Sequence, residues 1–120
     1  MSQRTVFTPG RLGPAELRNR VVKCGTNEGM SRDGKVTDRL IDFHAEFAAG
    51  GVGMTTLSYC AVEPEGRTFR HQLTVTDDAV PGLRRFTDTM HDHGAKAAIE
   101  FRPGARKHDQ RHHAEDRGQR

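Results

Sequence analysis

The stretch from Thr37 to Cys60, TDRLIDFHAEFAAGGVGMTTLSYC, decides the fold. Thr37 is a good N-cap, because its hydroxyl can accept from a free amide of the first turn. Asp38 then sets a carboxylate at the positive end of the helix dipole. Leu40, Phe43 and Phe47, together with Ile41, Ala45 and Ala48, recur at three- and four-residue spacings and form one broad apolar face. Gly50-Gly51 ends the helix, since glycine adopts the left-handed C-terminal conformation without a Cβ clash. The segment that follows, through Met54 to Cys60, reads as a strand apolar over most of its length. A strand buried on both faces belongs in a parallel sheet covered by helices, so this stretch is one βα unit of an α/β fold.

Working outward, the theme repeats. Before it, Val21 to Gly25 is a short strand, preceded by FTPGRLGPAELRNR (7–20). Pro9-Gly10 and Gly13-Pro14 are turn signals there, and the patches at Leu12 and at Ala15 and Leu17 flank the second of them as a small hairpin would. Thr26 to Val36 is a long polar loop with Gly29 and Gly34. After the central strand, Val62 to Thr76 is a second loop carrying Pro64, Gly66 and Arg67. Asp77 or Asp78 caps the next helix, with Pro81 in its first turn, where a missing N–H costs nothing. Val80, Leu83, Phe86, Thr87 and Met90 make its inner face, Gly94 ends it, and Ala95 to Phe101 is a third strand.

The remainder, RPGARKHDQRHHAEDRGQR (102–120), has no apolar residue larger than alanine and no periodicity, so it is expected to be a disordered tail. Residues 1–101 are the folded part. The tail holds six basic residues (Arg102, Arg106, Lys107, Arg111, Arg117, Arg120) against three acidic ones, which accounts for the whole net charge of +3. A neutral body argues against a specific nucleic-acid partner. His108 and His112 lie four apart and would share one helix face, but no carboxylate-and-histidine core supports a metal site, and they read as solvated tail residues. No apolar run approaches the roughly 20 residues of a membrane span, and no hydrophobic leader is present, so a cytoplasmic, membrane-free protein is expected. Cys24 and Cys60 lack CxxC spacing and read as free thiols in the core. His44 and His91 on helices, His71 in a loop and His93 beside Gly94 read as surface or cap residues.

Taken in order, FTPGRLGPAELRNRVV (7–22), DGKVTDRLIDFHAEFAAGGVGM (33–54), AVEPEGR (61–67) and VPGLRRFTDTMHDHGAKAAI (80–99) resemble the N-terminal third of the old yellow enzyme family of FMN-dependent NADH:flavin oxidoreductases. The resemblance implies a (β/α)8 TIM barrel, of which this chain carries the leading hairpin and about three βα strands, with FMN at the C-terminal strand ends. It implies reduction of FMN by NADH or NADPH and hydride transfer to a small-molecule substrate, an activated alkene or enoyl compound. Carried over by position, Gly25, Thr26 and Asn27 hold the flavin ring, with Asn27 bonding a ring carbonyl. Tyr59 touches the ring through its main chain, and Glu100 stands where the family has a glutamine on the pyrimidine edge. Two departures are visible. Cys24-Gly25-Thr26-Asn27 replaces the family's proline-methionine segment, and the Glu100 carboxylate would face a ring that becomes anionic on reduction. Catalytic residues cannot be assigned, because the family's substrate-activating pair, proton donor and phosphate site lie beyond the third strand. The rest of a barrel would come from a second copy or a complementing chain. The alternative is a truncated or frameshifted non-catalytic fragment, which the abrupt change of composition at Glu100–Arg102 would also produce.

Overall fold

The computed structural model describes residues 5–102. The disorder expected of the tail concerns residues that, from 103 onward, lie outside this span. Strand β1 (Gly10–Leu12) pairs antiparallel with β2 (Ala15–Leu17), with Leu12 opposite Ala15. Gly13 turns the hairpin at a φ of 55°, a conformation that favours glycine. The predicted hairpin is therefore present, with Leu17 as its buried residue.

Five further elements follow: β3 (Val22–Lys23), α1 (Asp38–Ala49), β4 (Met54–Ala61), α2 (Val80–Asp92) and β5 (Lys96–Arg102). The three strands form one parallel sheet in the order β3-β4-β5. Val22 aligns with Met54, and Met54 with Lys96. The β4–β5 register shifts between Leu57 and Cys60, so that Cys60 pairs with Phe101. The predicted βα alternation is thus the observed one, although β3 is shorter than Val21–Gly25 and β5 runs on to Arg102. Among the described residues the sheet stays open at both edges, so they form an α/β fragment and not a closed barrel. No helix of the described residues is long and apolar enough to cross a membrane.

The core lies between the sheet and the two helices. Leu40, Ile41 and Ala48 of α1 pack with Leu57 and Cys60 of β4, Phe86 and Met90 of α2, and Ala95. Ala97 and Ile99 of β5 add to it from the edge. The helix faces differ from expectation at two points: Phe47 is exposed beyond the rim of α1, and Val80 points to water. Val80 is the first residue of α2 and precedes the turn that meets the core, so its side chain has nothing to cover. Asp77 and Asp78 do not cap α2 either. Both lie inside a 3-10 turn, Asp77–Ala79, entered at Thr76, whose hydroxyl donates to the Asp78 carboxylate.

The loop after β4 contributes more than its composition indicates. Leu73 and Thr74 are buried, and Thr74 forms a parallel bridge with Ala61. Ala61 N donates to Leu73 O, and Val75 N donates to Ala61 O, each at 2.8 Å. These bonds partner the main chain at the end of β4, where the sheet would otherwise leave it bare. At the opposite pole one side chain gathers both helix ends. The Arg18 guanidinium donates to Ala48 O at 2.6 Å, to Val52 O at 2.9 Å and to His93 O at 2.7 Å.

Candidate functional site

Three adjacent parallel strands bring their C-terminal ends to one edge, and most of the predicted site residues lie there. The segment Cys24–Asn27 leaves β3 at this edge, Tyr59 lies near the end of β4 and Glu100 near the end of β5. Gly25 is pressed against its neighbours. A Cβ added there would sit 2.6 Å from Ser58 Cβ and collide with the Glu100 carboxylate. The Ser58 hydroxyl donates to Glu100 Oε2 at 3.1 Å. Gly25, Ser58 and Glu100 therefore form one cluster spanning the three strand ends. Thr26 and Asn27 follow with exposed side chains. Tyr59 is half-buried, and the Arg102 guanidinium lies 5.8 Å over its ring. Ser58 escaped the sequence reading. Its signal was its place beside Tyr59, but a lone serine in a strand carries no chemistry until a partner is known.

The close fit at Gly25 has a measurable consequence. Gly25→Ala inserts a methyl group where backbone and side chains already meet, and overpacking of this kind costs about 1–3 kcal/mol. The expected outcome is a lower denaturant midpoint with an unchanged slope. A midpoint equal to that of the unaltered chain would show that the strand ends can part.

The two cysteines separate. Cys24 is exposed, contrary to its reading as a core thiol, because β3 stops at Lys23 and the next residue turns out at the sheet edge. Cys60 is fully buried. Burial first, then the nearby charges of Glu28 and Glu100, push its thiol from 9.0 to about 12. At pH 8 Cys60 stays protonated and inert, so a thiol reagent should modify one cysteine in the native chain and two in denaturant. The folded value lies above the unfolded one. The neutral thiol's contribution to stability is therefore complete below pH 9 and is lost as pH rises towards 12. Denaturant midpoints should fall across that window, and Cys60→Ala should remove part of the fall.

A second polar cluster is buried beside this edge. His44, expected on the surface, is fully buried in α1 between the sheet and Phe86. Its Nδ1 lies 2.7 Å from Thr55 Oγ1 of β4. Its Nε2 lies 2.8 Å from Glu28 Oε1, close in distance but without the alignment of a hydrogen bond. The same Glu28 oxygen is 3.3 Å from the Lys23 ammonium, which also donates to Cys24 O at 3.1 Å. The Lys23 and Glu28 side chains are only 9% and 3% exposed, so the charges must balance each other. Phe43 and Phe47 flank the ammonium at 5.5 and 5.4 Å, an arrangement that favours a cation. Neither Lys23 nor Glu28 was singled out from sequence. The signal was a lysine inside the apolar run Val21-Val22-Lys23.

The donor set at the edge fits a flavin ring. The exposed Thr26 hydroxyl and Asn27 carboxamide can donate to ring carbonyls, and the Glu100 carboxylate, oriented by Ser58, can accept from a ring N–H. Among known proteins, residues 5–119 match the NADH:flavin oxidoreductase / NADH oxidase family. A 4,4'-dithiodibutanoate disulfide reductase of Rhodococcus erythropolis is 54% identical over 97 residues, which are 81% of this chain and 24% of that enzyme. The chain thus spans about a quarter of that relative's length. A 2-naphthoyl-CoA reductase structure superposes with a TM-score of 0.77 at 24% identity, over 81% of this chain and 15% of its own. An old yellow enzyme from Pichia sp. AKU4542 does so with a TM-score of 0.73 at 19% identity, over 81% and 26%. The family match extends over nearly the whole chain and the open sheet superposes on part of an old yellow enzyme, so the chain belongs to the NADH:flavin oxidoreductase / NADH oxidase family, whose members use FMN and NAD(P)H.

Proposed function

We propose that this chain forms one wall of the FMN site of an NAD(P)H-dependent reductase built on a (β/α)8 barrel. The convergence of Gly25, Ser58 and Glu100 at three adjacent strand ends, with Thr26 and Asn27 exposed beside them, carries the reading. FMN held there would supply hydride transfer from NADH or NADPH to an electron-poor acceptor. The residues here position and do not react. Thr26 and Asn27 hold ring carbonyls, the Tyr59 main chain borders the ring, and Glu100 accepts a ring N–H. A carboxylate at this place disfavours extra negative charge on the ring, so Glu100 sets a reduction potential below that of a Glu100→Gln variant. The remaining strands and the catalytic groups come from sequence beyond these residues or from a complementing chain.

The acceptor is an activated alkene or enoyl compound on the family resemblance. A second reading, a small organic disulfide, is favoured by the 54% identity to the disulfide reductase. In that case one NAD(P)H and one proton convert a disulfide to two thiols.

The test grafts residues 5–102 into the Rhodococcus reductase in place of its matching segment. A folded chimera that retains FMN and oxidises NAD(P)H is expected. Acceptor preference relative to the parent, measured with 2-cyclohexenone and 4,4'-dithiodibutanoate, assigns the substrate class. A folded chimera without flavin would sink the proposal and leave the non-catalytic fragment as the better account.

A further inference from the structure

We infer that Lys23, Glu28 and His44 are positioning residues that clamp the loop Gly25–Asn27 into its flavin-facing shape, an inference that rests on the FMN reading above. The loop begins and ends on one charge pair. Lys23, at its start, bonds through its ammonium to the Cys24 carbonyl at 3.1 Å and to Glu28 Oε1 at 3.3 Å. Glu28, at its end, meets His44 Nε2 at 2.8 Å through the same Oε1 that faces the ammonium. Between them lie Cys24, Gly25, Thr26 and Asn27, and the last two carry the exposed donors. A loop of this length anchored only by its chain ends would sample many shapes, and each lost shape costs ordering entropy when a ligand binds. Anchoring both ends inside the protein removes that cost before the ligand arrives.

The anchors sit on rigid elements. His44 lies in the middle of α1, with Thr55 of β4 on its Nδ1 and the Phe86 ring edge-on at 5.1 Å. Nδ1 lies 2.7 Å from the Thr55 hydroxyl, which fixes the plane of the ring, and Nε2 lies 2.8 Å from the Glu28 carboxylate. The ring orientation is therefore set from the sheet and transmitted to Glu28. The second Glu28 oxygen, Oε2, is buried without a partner among the described residues. A core built for stability alone would hold no such carboxylate, since hydrophobic residues of similar volume do as well or better. Here the charge is retained at the base of the loop that carries the exposed Thr26 and Asn27.

Glu28→Gln in the intact 120-residue chain tests the clamp with two readouts. Amide hydrogen exchange at Gly25, Thr26 and Asn27 should speed up at least tenfold, while amides of β4 and β5 exchange as before. FMN affinity, read by quenching of flavin fluorescence in the Rhodococcus chimera carrying the same substitution, should fall by tenfold or more. If Glu28→Gln fails to fold, Lys23→Met/Glu28→Leu removes both charges at once, keeps a packed site, and should show the same two changes. His44→Gln, which keeps a polar side chain against Glu28, should recover part of the loop protection that His44→Ala loses. Unchanged loop exchange in a folded Glu28→Gln chain would overturn the clamp. Absence of FMN from the folded, unaltered chimera would count against the flavin reading, while the exchange measurements would still decide whether the clamp exists.

Discussion

Glu28→Ala is expected to lower the unfolding free energy by about 3–5 kcal/mol, because it leaves the Lys23 ammonium buried with no counter-charge. The neighbouring aromatic rings offset only a fraction of that loss, about 0.5–2 kcal/mol for a well-placed cation over a ring. The carbonyl of Cys24 remains a partner but carries no full charge. The double variant Lys23→Met/Glu28→Leu should recover most of the stability, since it exchanges a desolvated ion pair for apolar volume. Chemical denaturation of the single and double variants measures both effects. Should the single variant lose less than 1 kcal/mol, water reaches Lys23 and the pair is not truly buried. The comparison also separates two properties that usually fall together, because the double variant is expected to be stable and yet to bind flavin poorly.

Phe86→Ala should cost about 3–5 kcal/mol, the range for truncating a fully buried aromatic ring. Phe86 lies at the centre of the core shared by α1, α2 and β4, so its removal opens a cavity that neither helix can close without leaving the sheet. The edge-on contact with His44 is lost as well, and such aromatic pairs add about 0.5–1.5 kcal/mol beyond their burial. Small domains have net stabilities of about 5–15 kcal/mol, so the variant should be marginal at 37 °C. Thermal unfolding followed by circular dichroism checks this. A melting point near that of the unaltered chain would mean that α2 can slide inward and fill the space.

What was legible in the sequence is what short-range chemistry decides. Thr37 caps α1 as expected, its hydroxyl accepting from Leu40 N at 3.2 Å, because cap and amide are three residues apart. The Gly50-Gly51 stop and the Gly13 turn likewise depend only on local backbone freedom, and Gly51 has a φ of 108°. The strand order follows from the βα alternation. The residues that were misread depend on partners distant in sequence. His44 shares a face with Leu40, Ile41 and Ala48, so its burial was written in the spacing. A histidine's polarity spoke against it, because the Thr55 hydroxyl on Nδ1 and the Glu28 carboxylate near Nε2 come from other segments of the chain. Cys24 and Val80 were misplaced for the converse reason: each is apolar in type but lies outside the packed part of its element, Cys24 just after β3 and Val80 a turn ahead of Leu83. At the candidate site, Gly25 and Glu100 were proposed through family position, and the structure places them side by side. The contact between them is set by how three strands align, which no single segment encodes.

Arg18 gives the molecule a division between its two poles. One guanidinium serves the C-terminal ends of both helices, where unpaired carbonyls concentrate negative charge, and it does so on the side away from the strand-end cluster. Change at the strand-end pole, such as longer loops or altered side chains, can therefore proceed without loosening the seam that keeps the helices on the sheet. For an engineer this makes the Arg18 pole the fixed chassis, and the loops at the other end the interchangeable parts.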